Sequence, residues 1–146
     1  MPVATAVCAG GDCRLRLYRT DQPMVVLAAA EGYLPVNETV VPDDAAGLHL
    51  VMEPSPDDRN SVLFTRSTGH IPGVEGRINP VNDGRTFLYA GNIAVDGRVA
   101  SPLPFEVGQT LHLTDVNGVE TDVRFVVVRG QFSLLEYTEP RAYSAP

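Results

Sequence analysis

A chain of 146 residues, 44% of them hydrophobic, fits one domain or two very small ones that share a core. Its net charge of −7, with all 11 basic residues arginine, argues against the broad basic face of a nucleic-acid binder or an anionic-membrane binder. No stretch approaches the roughly 18 apolar residues of a membrane helix. The N-terminus lacks a basic region followed by an apolar run, so the sequence predicts no secretion signal and a cytoplasmic home.

Two runs, residues 3–8 and 13–19, flank Ala9-Gly10-Gly11-Asp12, a hairpin signal through its Gly-Gly pair. In the second run Cys13, Leu15 and Leu17 face one way and Arg14 and Arg16 the other. Asp21-Gln22-Pro23 turns the chain into a strand at 24–30, where Val25-Val26 outweigh the short Ala28-Ala29-Ala30 run. Pro35 and Pro42 bracket a strand at 34–41 and place it at an edge. The proline-rich, charged segment 53–58 reads as a boundary, followed by a strand at 61–67. Residues 68–84 read as a long Gly/Pro loop broken by a short strand near 74–78.

Strands follow at 86–90, 93–95 and 98–100, the last two joined by Asp96-Gly97. Strands at 111–115 and 119–128 join around Asn117-Gly118, again a type I′ signal, and Gly130 leads into a strand at 132–137. Alternation in 119–129 puts Val123, Phe125 and Val127 on one face. The other face carries Asp122 and Arg124, then Val126 and Val128, an apolar end that invites a further layer. No segment has a helical period. The predicted class is all-β.

Arg14, Leu15, Leu17, the Ala-Glu-Gly-Tyr-Leu-Pro run at 30–35, Glu38-Thr39-Val40 and the closing run 48–54 carry a resemblance. Over the first third of the chain they resemble a carboxypeptidase-regulatory-like (transthyretin-like, PEGA-like) β-sandwich module. The resemblance implies a transthyretin-like or Ig-like half-sandwich over residues 1–56. A second small β-rich sandwich or barrel over residues 57–146 would pack against it. Modules of this type are non-catalytic, so the resemblance also implies no enzymatic role.

Candidate chemistry is thin. Cys8 and Cys13 face each other across a short turn, as reduced thiols in the cytoplasm or as a cross-strand disulfide. With His49, His70 and His112 scattered, a zinc site is not indicated, and no metal or cofactor is expected. Asp115-x-Asn117-Gly118 and Asn82-Asp83-Gly84 look like calcium-loop fragments but lack the closing glutamate, so turn chemistry explains both. Gly-x-Ser-x-Gly, Walker and dinucleotide motifs are absent.

The expectation is therefore a non-enzymatic structural or adaptor subunit that docks onto protein partners or its own copies. A virion or contractile-injection particle would suit such a subunit. The expected contact set is Arg124, Val126 and Val128 with His70 and Ile71 of the long loop. The alternative is a carbohydrate- or cell-surface-binding module using Tyr33 or Tyr89, although packing is the expected role of each tyrosine. A third reading is a small enzyme that pairs His70 with a carboxylate. Neither nucleic acid nor membrane insertion is expected.

Overall fold

The computed structural model describes residues 23–40, 51–99 and 101–142. Both cysteines, the strands expected at 3–19, and Arg14, Leu15, Leu17 and Leu48 of the resemblance lie outside the described residues. The chain divides into two units, residues 1–26 with 38–51, and residues 27–37 with 52–146. The second unit holds most of the described residues. Among the described residues the fold is all-β, and no helix is long and apolar enough to cross a membrane.

Strands β1 (Met24–Ala28) and β2 (Val36–Val40) pair with each other. The larger sheet runs β3 (Arg59–Phe64), β10 (Phe132–Thr138), β9 (Val119–Arg129), β8 (Thr110–Asp115), β6 (Ile93–Val95), with β11 (Arg141–Ala142) also on β9. The smaller sheet is β4 (Arg77–Asp83), β5 (Arg85–Gly91) and β7 (Leu103–Pro104). Ile78 and Leu88 of the small sheet and Ile93, Leu113, Phe125 and Leu135 of the large one belong to a single buried cluster. That shared core makes the unit a β-sandwich.

Loop segments complete the core. Ile71 is fully buried and Val74 nearly so, although both lie in the connection before β4. This connection is shorter than the sequence predicts, because Arg77–Asp83 is a full strand paired residue for residue with β5 around Gly84. Pro80 inside β4 is tolerated because β4 is an edge strand, so its missing N–H breaks no ladder. Ile78 exchanges both backbone bonds with Gly69 at 2.9 Å, which partly closes that edge.

The two predicted I′ turns differ. Asp96 and Gly97 both take positive φ, 50° and 77°, as a type I′ turn requires. At the second turn only Gly118 does, at 78°, and its N–H donates to the Asp115 carbonyl at 3.1 Å. A type I turn closed by a glycine bulge therefore replaces I′. Gly118→Val should still cost more than about 1 kcal/mol in denaturant unfolding, because a β-branched residue resists positive φ. Gly108 also sits at positive φ, 93°, so Gly108→Val should cost a similar amount. A Gly108→Val midpoint equal to wild type would contradict that.

Strand β9 corrects the expected faces. Leu134 pairs with Val127 but Leu135 pairs with Phe125, so Val126 is the extra residue of a β-bulge. The bulge shifts the alternation by one. Val123, Phe125 and Val128 then face the core, Val128 with 6% exposure, while Val127 leaves it. The apolar second face does not include Val128. On the opposite face of β10, Leu134 is fully buried and Glu136 is 7% exposed.

Candidate functional site

On the β4–β5 hairpin, alternation sends Ile78 and Leu88 into the core. Arg77, Asn79, Tyr89 and Gly91 occupy the alternate positions and so share the outer face. Register places Asn79 directly opposite Tyr89 and Arg77 opposite Gly91. Together with Thr68 from the preceding connection and Ser101 from the segment before β7, they line an open groove of about 310 Å³. Ser101 is held there by accepting the Ala90 N–H at 3.1 Å. The Asn79 amide nitrogen donates to the Ser67 carbonyl at 2.9 Å. Tyr89 is 46% exposed, and Arg77 makes no ion pair among the described residues. An aromatic face, a cation and hydroxyl groups thus meet in one concavity.

A second polar cluster is structural. Ser61 and Asn60 on β3 are buried, and they tie down the turn at 30–33. Asn60 Oδ1 accepts the Gly32 N–H at 2.6 Å, and Ser61 Oγ accepts from Ala30 N at 3.0 Å while donating to Ala30 O at 3.1 Å. Asn60 Nδ2 donates to Glu139 at 2.9 Å. Beside them Arg124 holds the buried Glu136 carboxylate through Nη2 at 2.9 Å and 3.0 Å, with Arg59 further off at 3.6 Å. A carboxylate so enclosed requires its arginines, and their role is fixed by that need. Burial, with Glu31 and Glu139 nearby, pushes the Tyr137 phenol up to about 12. It stays protonated and is no base.

The third cluster lies across β8 and β9. His112 Nδ1 meets Asp122 at 2.8 Å and Nε2 meets Glu120 at 3.4 Å. The hydrogen bond to Asp122 raises the His112 pKa, burial opposes it, and Glu120 adds to the rise. A raised folded-state value means stability that is full below the unfolded pKa and is lost as pH climbs through the folded one. His112→Gln should therefore narrow the stability difference between mildly acidic and mildly alkaline buffer. The pair is well exposed, so the effect is a few tenths to about 1 kcal/mol. An unchanged pH profile in the variant would show that the clasp contributes nothing.

The expected contact residues do not form one surface patch. Val128 and Ile71 are core residues, Arg124 is engaged by Glu136, His70 is exposed, and Val126 is the half-buried bulge. His70 has no hydrogen bond or ion pair to a carboxylate among the described residues, so the third reading loses its geometry. Tyr33 is exposed at 40%. Asp115 and Asn117 serve a turn, and no cluster of His, Cys, Asp or Glu suited to a metal occurs among the described residues. Sequence reasoning missed Arg77, Asn79, Gly91 and Ser101. The Asn82-Asp83-Gly84 turn was the available signal, because it folds Arg77-x-Asn79 against Tyr89-x-Gly91.

No known family profile matches the chain, and no solved structure does. Over 88 residues, 59% of this chain, it is 31% identical to the 3' cyclic ADP-D-ribose synthase AaTIR of Aquimarina amphilecti. The chain spans about a quarter of that relative's length, 27%. The relative is an enzyme. That likeness overturns the expectation that this chain stands apart from enzymatic chemistry.

Proposed function

We propose that this β-sandwich is a module of an enzyme that forms or handles a cyclic ADP-ribose, and that it docks onto the protein parts completing that enzyme. The observation that carries the reading is the 31% identity over 88 residues to a cyclic ADP-ribose synthase. Most of that relative lies outside the match. The groove on the β4–β5 hairpin adds a place for a small polar molecule.

The test is an assay on the native protein, purified with whatever accompanies it in its source cells. It is incubated with nicotinamide adenine dinucleotide, an ADP-ribosyl donor, and products are resolved by chromatography and mass spectrometry. Accumulation of a cyclic ADP-ribose supports the reading. Its absence from the native preparation and from the isolated chain refutes it. The docking part has its own test at Val126, which the bulge leaves half-buried and unpaired on β10. Val126→Asp should stay folded, at a cost of about 1–2 kcal/mol, and should separate from its partner on sizing. Full retention of the partner would remove Val126 from the interface.

A further inference from the structure

We infer that the outer groove of the β4–β5 hairpin holds a nucleoside phosphate, with its adenine base on Tyr89 and its phosphate on Arg77. The choice of nucleotide rests on the proposed function; the choice of site rests on the groove. Four observations lead there. A tyrosine ring left 46% exposed on a sheet face offers a flat surface on which a base stacks. Arg77 lies diagonal to it across the pair, roughly 7–8 Å away at the backbone, a span that a nucleoside 5′-phosphate covers from base to phosphate.

Arg77 is also exposed and makes no ion pair among the described residues, in a chain whose net charge is −7. A guanidinium fork matches phosphate oxygens in pairs. Third, Gly91 faces Arg77 with nothing within 4 Å of the place a Cβ would occupy. Its φ is not in the left-handed region, so the backbone does not demand glycine there. What its missing side chain does is keep the groove open. Fourth, the Thr68 hydroxyl lines the groove and supplies a partner for a ribose hydroxyl. A volume of about 310 Å³ is at the small end for ligand sites, so the groove takes one nucleoside phosphate and leaves the rest of a dinucleotide outside.

Isothermal titration of the purified chain with adenosine monophosphate, ADP-ribose and ribose 5-phosphate tests the assignment. The two adenine ligands should bind on the order of tenfold or more tighter than ribose 5-phosphate, the increment that base stacking supplies. Tyr89→Ala should erase that difference and leave ribose 5-phosphate unchanged. Arg77→Gln should weaken all three, and Gly91→Val should block all three, with unfolding midpoints confirming that each variant is folded. No heat with either adenine ligand at millimolar concentration overturns the inference, as does binding that none of the variants alters. The outcomes separate from those of the proposed function. Cyclic ADP-ribose formation by the native protein without nucleotide binding in the groove defeats the groove alone. Binding that the variants abolish, with no cyclic product from the native protein, defeats the enzymatic reading alone.

Discussion

Phe125→Ala should lower the unfolding free energy by about 3–5 kcal/mol, the largest loss expected from any single truncation among the described residues. Phe125 is fully buried at the middle of β9, between β10 and β8. Its ring centroid lies 5.1 Å from that of Phe105, tilted by 42°, so removal takes an aromatic contact along with the apolar area. Its neighbours Val123 and Leu135 are themselves between 0% and 1% exposed, so little around it can collapse into the space. In a chain of this size each kcal/mol moves the melting temperature by roughly 2–4 °C, so the shift should be about 10 °C. Phe105→Ala, at 6% exposure, should cost less, and the double variant should cost less than the sum, since the pair shares one contact. A loss at Phe125 below about 1 kcal/mol would mean that the two sheets do not pack over this residue.

What the sequence made legible was local. Alternation in 119–125 placed Val123 and Phe125 on the buried face, and the Asp96-Gly97 pair marked its turn, because both signals are complete within a few residues. The bulge at Val126 was not legible. Nothing in Val-Val-Val says which residue is extra; that is decided by where Leu134 and Leu135 of β10 pair. The consequence was large, since a one-residue shift exchanged Val127 for Val128 in the core. Strand β4 was hidden for a different reason. Pro80 and four nearby glycines read as loop, and only a strand at a sheet edge absorbs such a proline.

The groove was the least legible feature. Arg77 and Tyr89 are ordinary surface residues in isolation, and Thr68 and Ser101 arrive from separate connections. Register brings Arg77 and Tyr89 to one face, and the connections add Thr68 and Ser101. The proposed link to enzymatic chemistry rests on likeness to a relative, and no motif in the chain announced it.

Asp115→Ala should cost about 2–4 kcal/mol, because one buried carboxylate organises two segments that are far apart in sequence. Its Oδ1 accepts the Asn117 N–H at 2.8 Å and the Val119 N–H at 2.9 Å, which shapes the turn between β8 and β9. Its Oδ2 accepts the Glu75 N–H at 2.9 Å, which pins the connection that buries Ile71 and Val74. Alanine would leave three N–H groups without these acceptors at a site only 7% exposed. Burial pushes the Asp115 carboxyl up, but the three N–H donors together hold it below the usual aspartate value. A depressed folded-state pKa contributes stability that is present above the unfolded value of about 3.9 and is lost as pH falls through the folded one. The variant should therefore be weakened most near neutral pH, and its stability should fall less steeply than the wild type's on acidification below about pH 4. Asp115→Asn retains one acceptor oxygen and should lie between the two at neutral pH. Denaturant midpoints at pH 7 and pH 3 for the three proteins decide the matter. Parallel pH profiles for wild type and Asp115→Ala would show that the carboxylate's charge is not what secures the turn.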